Sequence, residues 1–357
     1  MSEEKRESDI LVIGGGQAGL AMGYHLRKLP HSFLIVERNK RIGDSWRNRY
    51  DSLHLFSPRM YSFLPGLPLP GDTLGFASKD EIADYLERYA SQFQLPVVTG
   101  LGVGQLDRVD GIFRSTLDDG TSVTSRSVII ASGAFEIPSV PSLAQRFAQD
   151  VAQCSPRNYR NPSQVPPGTV LVVGDGATGR QIALELSRTH SVLLAHGRMR
   201  SVTPDFIFGK NNFWWMELLR LSRVSRRSLL GRYFMRQDPF PGLKLMFVNL
   251  RRRGVKIVKR LTAVEGRRAT FADGSTLEVS SVVWATGYHD DSSWVKIPEV
   301  VDGRGNFVQE RGLTSVPNLF FIGKSWQWTR ASALIFGVTR DAEYLVPFIS
   351  RGLSHQS

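Results

Sequence analysis

The stretch "VLVVGDGATGRQIALEL" (Val170 to Leu186) decides the fold, because the chain has already used almost the same design at Ile10 to Leu26, "ILVIGGGQAGLAMGYHL". Each copy is an apolar run of strand length, a glycine turn, and an alternation suited to a helix. The glycines fall at Gly14, Gly16 and Gly19 in the first copy and, 160 residues further on, at Gly174, Gly176 and Gly179 in the second. In a strand–turn–helix unit the first glycine permits the tight turn. The second admits a pyrophosphate to the backbone, and the third lets helix and strand pack closely. The positive end of the following helix then faces the phosphates, beside Gln17 and Ala18 in the first copy and Ala177 and Thr178 in the second.

The copies part company where their next strands end. "SFLIVE" closes at Glu37, 18 residues after Gly19 and just before Arg38, where a carboxylate accepts hydrogen bonds from ribose hydroxyls. "SVLLAH" runs instead into "HGRMR", which offers His196, Arg198 and Arg200 and no acid. An acid there would repel a ribose 2′-phosphate, whereas arginine pairs with it. The first cradle therefore reads as a site for FAD or NAD and the second as a site for NADPH. Arg180, at the start of the second helix, is a further candidate for the 2′-phosphate or pyrophosphate, and Arg198 and Arg200 as solvated loop charges stand as the alternative. Two cradles mean two dinucleotides, and the economical use of both is to pass a hydride from one to the other.

A chain of 357 residues suits two domains at about 150 residues each. The opening "MSEEKRESD" is charged and carries no signal-peptide core, and no apolar run approaches the ~20 residues of a membrane span. One cysteine, Cys154, allows neither an internal disulfide nor a Cys-x-x-Cys pair, which fits a reducing cytoplasm and removes dithiol chemistry. The seven histidines are scattered, with no HExxH and no metal-ligand spacing.

Two more glycine turns mark where domains join: "SVIIASGAFEIPSVP", with Ala131 and Gly133, and "SVVWATGYHDD", with Ala285, Thr286 and Gly287. The second cradle lies between them. The expected architecture is α/β, with two nested Rossmann-like dinucleotide-binding domains. The FAD-binding domain covers residues 1–165 and returns at 284–357, interrupted by an NADPH-binding domain at 166–283. In the return, "NLFFIG" ends a strand at Gly323 and leads to Trp326 and a helix that closes over the first dinucleotide.

The order and spacing of these blocks, together with "IGDSWRNRYDSLHLFSP", resemble the flavin-containing monooxygenases, in particular the smaller bacterial members and the plant YUCCA enzymes. The resemblance implies FAD on the first cradle and NADPH on the second. It also implies that Gly43, Ser45 and Trp46 lie along the flavin, with His54 and Phe56 lining the reactive side and shielding it by packing. The implied reaction inserts one oxygen atom from dioxygen into a small soft nucleophile or a carbonyl through a flavin 4a-hydroperoxide. Three departures stand out. The family's fingerprint of Phe, Gly, His and a following aromatic keeps Phe147 and Tyr159 here but neither the glycine nor the histidine, Ala177 and Thr178 replace Asn-Ser, and Phe56 stands where animal members carry asparagine. They leave the cofactors in place and keep a second activity open, an NADPH oxidase or reductase passing electrons to oxygen, a quinone or a metal without oxygenation.

The formal charge of +12 is concentrated in one segment. Between Met199 and Gly254 stand twelve bases against three acids, a local +9, interleaved with leucines and aromatics at helical spacing. This insert, about 200–253, has three open roles: a lid over the active site, an interfacial membrane helix, or a solvated face that attracts NADPH. Nucleic-acid binding is set aside, because the chain already holds two dinucleotide cradles.

Overall fold

In the computed structural model, which describes residues 5–198 and 200–354, strand β1 (Lys5–Ile13) buries Ile10, Leu11 and Val12 completely. A strand covered on both faces reads as an unbroken apolar run, the mark of a parallel sheet. Alternation sends Ile10 and Val12 into one apolar cluster and Leu11 and Ile13 into another on the opposite face.

Around β1 lie β2 (Phe33–Glu37), β3 (Val97–Thr99), β4 (Val103–Val109), β5 (Ile112–Leu117) and β6 (Ser122–Ile130). They form a seven-stranded sheet in the order β3-β2-β1-β6-β5-β4, with Leu319–Phe321 as the seventh strand. β6 pairs with β1 along one whole edge and divides the other, with β5 against Ser122–Ser125 and Leu319–Phe321 against Val128–Ile130. Helices α1 (Gln17–Leu26), α2 (Asp44–Arg47) and α3 (Lys79–Gln92) follow in the same half of the chain. α1 and α3 pack in the Ile10 cluster, and Ser78 caps α3 through a reciprocal bond with Glu81.

The chain then crosses over at β7 (Ile137–Pro138), which pairs antiparallel with the returning Tyr288–His289. A second sheet of five parallel strands combines β8 (Ala152–Cys154), β9 (Thr169–Val173) and β10 (Ser191–Ala195) with Val255–Val258 and Ser281–Trp284. Its order is Val255–Val258, β10, β9, Ser281–Trp284, β8. Strand β8 lies before residue 165, on the first-domain side of the expected division, yet it belongs to this second sheet. Its three residues, Ala-Gln-Cys, have no apolar run to announce a strand. α4 (Ala177–Leu186) follows β9 as α1 follows β1. The basic segment folds into α5 (Asn212–Leu218) and α6 (Leu229–Gln237), then α7 (Phe247–Arg252) leads back to the sheet. The last helix, α8 (Ile335–Ser354), returns to the Ile10 cluster. No helix among the described residues is long and apolar enough to cross a membrane.

Candidate functional site: a cleft between two glycine turns

The two turns share one backbone. Gly14 has φ +112° and Gly174 +111°, both in the region that favours glycine. A Cβ on Gly14 would stand 2.5 Å from the Ala131 carbonyl oxygen, and one on Gly174 would stand 2.2 Å from that of Ala285. A Cβ on either third glycine, Gly19 or Gly179, would stand 1.9 Å from the carbonyl oxygen of the first. Each turn is thus wedged between its own helix and a crossover strand end.

The cradles fit a pyrophosphate. α1 and α4 begin at Gly16 and Gly176, which carry no side chain to cap the helix, so the first backbone N–H groups stay available to an outside anion. Gly16 has open space where a Cβ would be, as do Gly133 and Gly287 at the crossovers. Both turns open into a single cleft of about 1480 Å³.

Gly14, Gly16, Gln17, Ala18, Glu37, Arg38, Ser45, Trp46, His54, Phe56, Ala131, Gly133, Gly323 and Trp326 line this cleft from the first sheet's half. Gly174, Gly176, Ala177, Thr178, Arg198, Arg200, Ala285, Thr286 and Gly287 line it from the second. Gly19 and Gly179 sit behind the turns as packing positions. Gly43 also lies off the cleft: its φ of +88° lets α2 approach α3, where a Cβ would meet the Ala83 carbonyl oxygen at 2.5 Å.

Arg180 corrects the expectation that it faces the phosphates. It is 2% exposed, and its guanidinium turns back into the protein. It donates to the Asp175 carbonyl and the Leu245 carbonyl, each at 2.9 Å, pairs with the Asp175 carboxylate at 3.1 Å, and lies 4.1 Å from the Phe247 ring centroid. Burial holds its pKa down even with Asp175 alongside. It anchors the loop and does not line the cleft.

On the first side, the Glu37 carboxylate accepts from Gly15 N at 2.7 Å and from Asn39 N and Nδ2 at 2.8 and 2.6 Å, which fixes it at the end of β2. Gln17 accepts from the Trp46 indole at 3.1 Å and donates to the Ala333 carbonyl at 3.0 Å, joining three separate segments on the cleft wall. Trp326 holds φ +54°, a costly setting for a bulky residue. Its companion Trp328 is off the cleft, under the Arg311 guanidinium at 4.9 Å.

On the second side, Arg200 stands over the cradle, its Nη1 3.2 Å from a Cβ placed on Gly176. The same Nη1 pairs at 2.5 Å with Asp238, the left-handed residue that ends α6, and the other carboxylate oxygen of Asp238 pairs with Arg330. Asp238, Arg330, Arg236 and Arg260 all line the cleft, and motif spacing pointed to none of them.

The crossovers are pinned from the first side. Lys324, 5% exposed, donates to the Gly133 carbonyl at 2.7 Å and to Asp290 at 3.0 Å, so one ammonium holds both passing segments. The Arg49 guanidinium lies 5.4 Å from the Phe135 ring and 5.3 Å from that of Tyr288, and donates to the Tyr288 hydroxyl at 2.8 Å. Above the cleft, Phe56 stacks on Phe213 of α5 with centroids 6.3 Å apart, and Phe213 also meets Tyr61 and Phe336. The insert therefore packs on the first half of the molecule, although its sequence belongs to the second.

Two dinucleotide cradles facing one cleft define a pyridine nucleotide oxidoreductase. The model of the pyridine nucleotide-disulphide oxidoreductase family matches residues 11–203. An uncharacterised CzcO-like oxidoreductase of Geobacillus kaustophilus is 46% identical over 339 residues, spanning 95% of this chain and 97% of that one. Rice indole-3-pyruvate monooxygenase YUCCA1 is 27% identical across 99% of this chain and 90% of its own length. The flavin-containing monooxygenase of Stenotrophomonas maltophilia superposes with a TM-score of 0.82 at 26% identity, covering 99% of this chain and 100% of that one. The chain belongs to the pyridine nucleotide-disulphide oxidoreductase family, is similar along its length to flavin-containing monooxygenases, and is an FAD-dependent oxidoreductase. The disulphide part of that description has no counterpart here. The single cysteine, Cys154, lies off the cleft, and burial pushes its thiol up to about 11.

Proposed function

We propose that the protein is an NADPH- and FAD-dependent monooxygenase that places one oxygen atom of dioxygen on a small soft nucleophile or carbonyl. The supporting observation is that both glycine turns open into one cleft whose lining also carries Phe56, His54 and Trp326. FAD takes the first cradle, with Glu37 at its ribose. NADPH takes the second, with Arg198 at its 2′-phosphate and Arg200 over its pyrophosphate. When bound, FAD supplies the electron transfer and the activation of dioxygen.

The chain's own residues bind, orient and exclude water. The N-terminal ends of α1 and α4 hold the pyrophosphates. Gln17 sets the Trp46 indole, and the stack of Phe56 on Phe213 covers the cleft from above and excludes water there. The same reading assigns the seven-stranded sheet to the FAD domain and the five-stranded sheet to the NADPH domain, with β8 drawing the first boundary back before Ala152. It places the enzyme in the cytoplasm, where its lone thiol stays reduced.

One observation favours the oxidase or reductase alternative: His54, one of the two expected shielding residues, is exposed. The two activities separate by stoichiometry. With a panel of sulfides, amines, ketones and arsenite, a monooxygenase yields oxygenated product from at least one compound and less than one peroxide per NADPH consumed. One peroxide per NADPH throughout the panel, with no product, would overturn the monooxygenase and leave the oxidase.

A further inference from the structure

Ten of the eighteen large apolar side chains exposed among the described residues lie between Phe206 and Val248, in the basic insert. The segment has two distinct sides. Inward it presents Phe213, which is 2% exposed, to Phe56, Tyr61 and Phe336. All three of its acids are engaged by the protein itself. Glu217 pairs with Arg340 at 2.7 Å, Asp238 with Arg200 and Arg330, and Asp205 accepts from Leu243 N at 3.1 Å.

Outward it presents Phe208 at 92% exposure, Leu219 at 59%, Leu229 at 83% and Tyr233 at 56%. Arg220, Arg223, Arg226, Arg227, Arg232 and Arg236 are exposed around them. On α6, Leu229, Arg232, Tyr233 and Arg236 follow one another at helical spacing along one side.

A lid requires only the inward side, and a merely solvated face has no use for bare leucines. We infer that this outward side docks on the surface of an anionic phospholipid bilayer, with leucine and aromatic side chains in the acyl boundary and arginines on the headgroup phosphates. Three other occupants fit less well. A second copy of the chain would set like-charged arginines against each other around a two-fold axis. A nucleic acid would ask for free rings to stack on its bases. The exposed rings of the insert, Phe206, Phe208 and Tyr233, stand among five exposed leucines, and the two tryptophans of α5 are partly buried, with the Trp215 indole bonded to the Ile207 carbonyl at 2.9 Å. A peptide groove would be lined by buried side chains, whereas these are exposed. Because Met235 and Arg236 of α6 line the cleft, docking brings the cleft mouth to the lipid surface.

The test uses the FAD-loaded protein and sedimentation with vesicles. At low salt it should pellet with vesicles of three parts phosphatidylcholine to one part phosphatidylglycerol, and at least about tenfold less with phosphatidylcholine alone. Two variants should each cut that binding about tenfold or more: Leu219→Ser with Leu229→Ser and Tyr233→Ser, and Arg220→Glu with Arg232→Glu. NADPH consumption in solution should stay unchanged in both. Equal binding to both vesicle types, no binding to either, or binding that survives both variants would overturn the proposal. So would a concentration-dependent dimer in light scattering that Leu229→Ser abolishes, which would assign the face to a second copy.

Discussion

The two glycine turns are nearly one object built twice. Their first glycines differ by one degree in φ, and each third glycine would bring a Cβ to 1.9 Å from the carbonyl oxygen of its own first glycine. They differ in what the side chains around them do. Position 15 is glycine in the first cradle, so its N–H reaches the Glu37 carboxylate at 2.7 Å. The equivalent position in the second is Asp175, whose carboxylate turns to Arg180, and the loop after β10 carries arginines where the first has its acid. Backbone geometry makes each a dinucleotide cradle, and the residue at the end of the following strand decides which dinucleotide. A fold can thus duplicate a binding site and re-specify it with a handful of side chains.

The largest expected effect comes from breaking each copy in the same way. Gly19→Ala and Gly179→Ala both force a methyl onto backbone at 1.9 Å, which exceeds ordinary overpacking and should cost about 3 kcal/mol or more. Gly19→Ala should purify colourless, with a depressed melting temperature by circular dichroism. Gly179→Ala should retain yellow FAD that NADPH no longer bleaches. A Gly179→Ala protein without flavin would show that the cradles are not independent.

Next, Arg198→Glu writes the first cradle's acid into the second. Steady-state kcat/KM for NADPH should fall about a hundredfold, near the upper end for a charged hydrogen bond replaced by repulsion, while NADH is spared and the preference inverts. Glu37→Ala should weaken FAD by roughly ten- to a hundredfold, read by titrating the apoprotein with FAD, because it also leaves Gly15 N without its partner.

The smallest effect tests Asp238, which occupies Arg200. The Arg200 side chain is 43% exposed, and such a pair is worth at most about 1 kcal/mol. Asp238→Asn should therefore lower KM for NADPH by no more than about fivefold, with kcat unchanged. A KM that rises would mean that Asp238 positions Arg200 for the coenzyme.

What could be read from the residues beforehand follows from how local the physics is. Strand, turn and helix of each cradle are set by contiguous residues, so Gly14 to Gly19 and Gly174 to Gly179 were legible, as was Glu37 at a strand end. Arg180 was misplaced because a side chain at the mouth of a cradle can turn either way. A buried acid five residues back and the Leu245 carbonyl, 65 residues on, turned it inward. The insert's inner side depends on Phe213 meeting Phe56, Tyr61 and Phe336, contacts between distant segments that no periodicity announces. Strand β8 is short and half-polar, so its place in the second sheet comes from the apolar neighbour Ser281–Trp284 and not from its own text.

The two walls of the cleft are held in place by unlike means. At the crossovers, Lys324 is 5% exposed, so its contacts sit largely out of reach of dissolved ions. On the insert side, Arg227 and Glu310 pair with side chains 68% and 55% exposed, and Arg340 and Glu217 are 36% and 24% exposed. At physiological ionic strength, screening acts over about 8 Å and erodes exposed pairs far more than buried ones. Ionic strength thus becomes a one-sided control on access. Added salt should loosen the insert while the crossovers hold, quickening the exchange of small molecules through the mouth without melting either sheet.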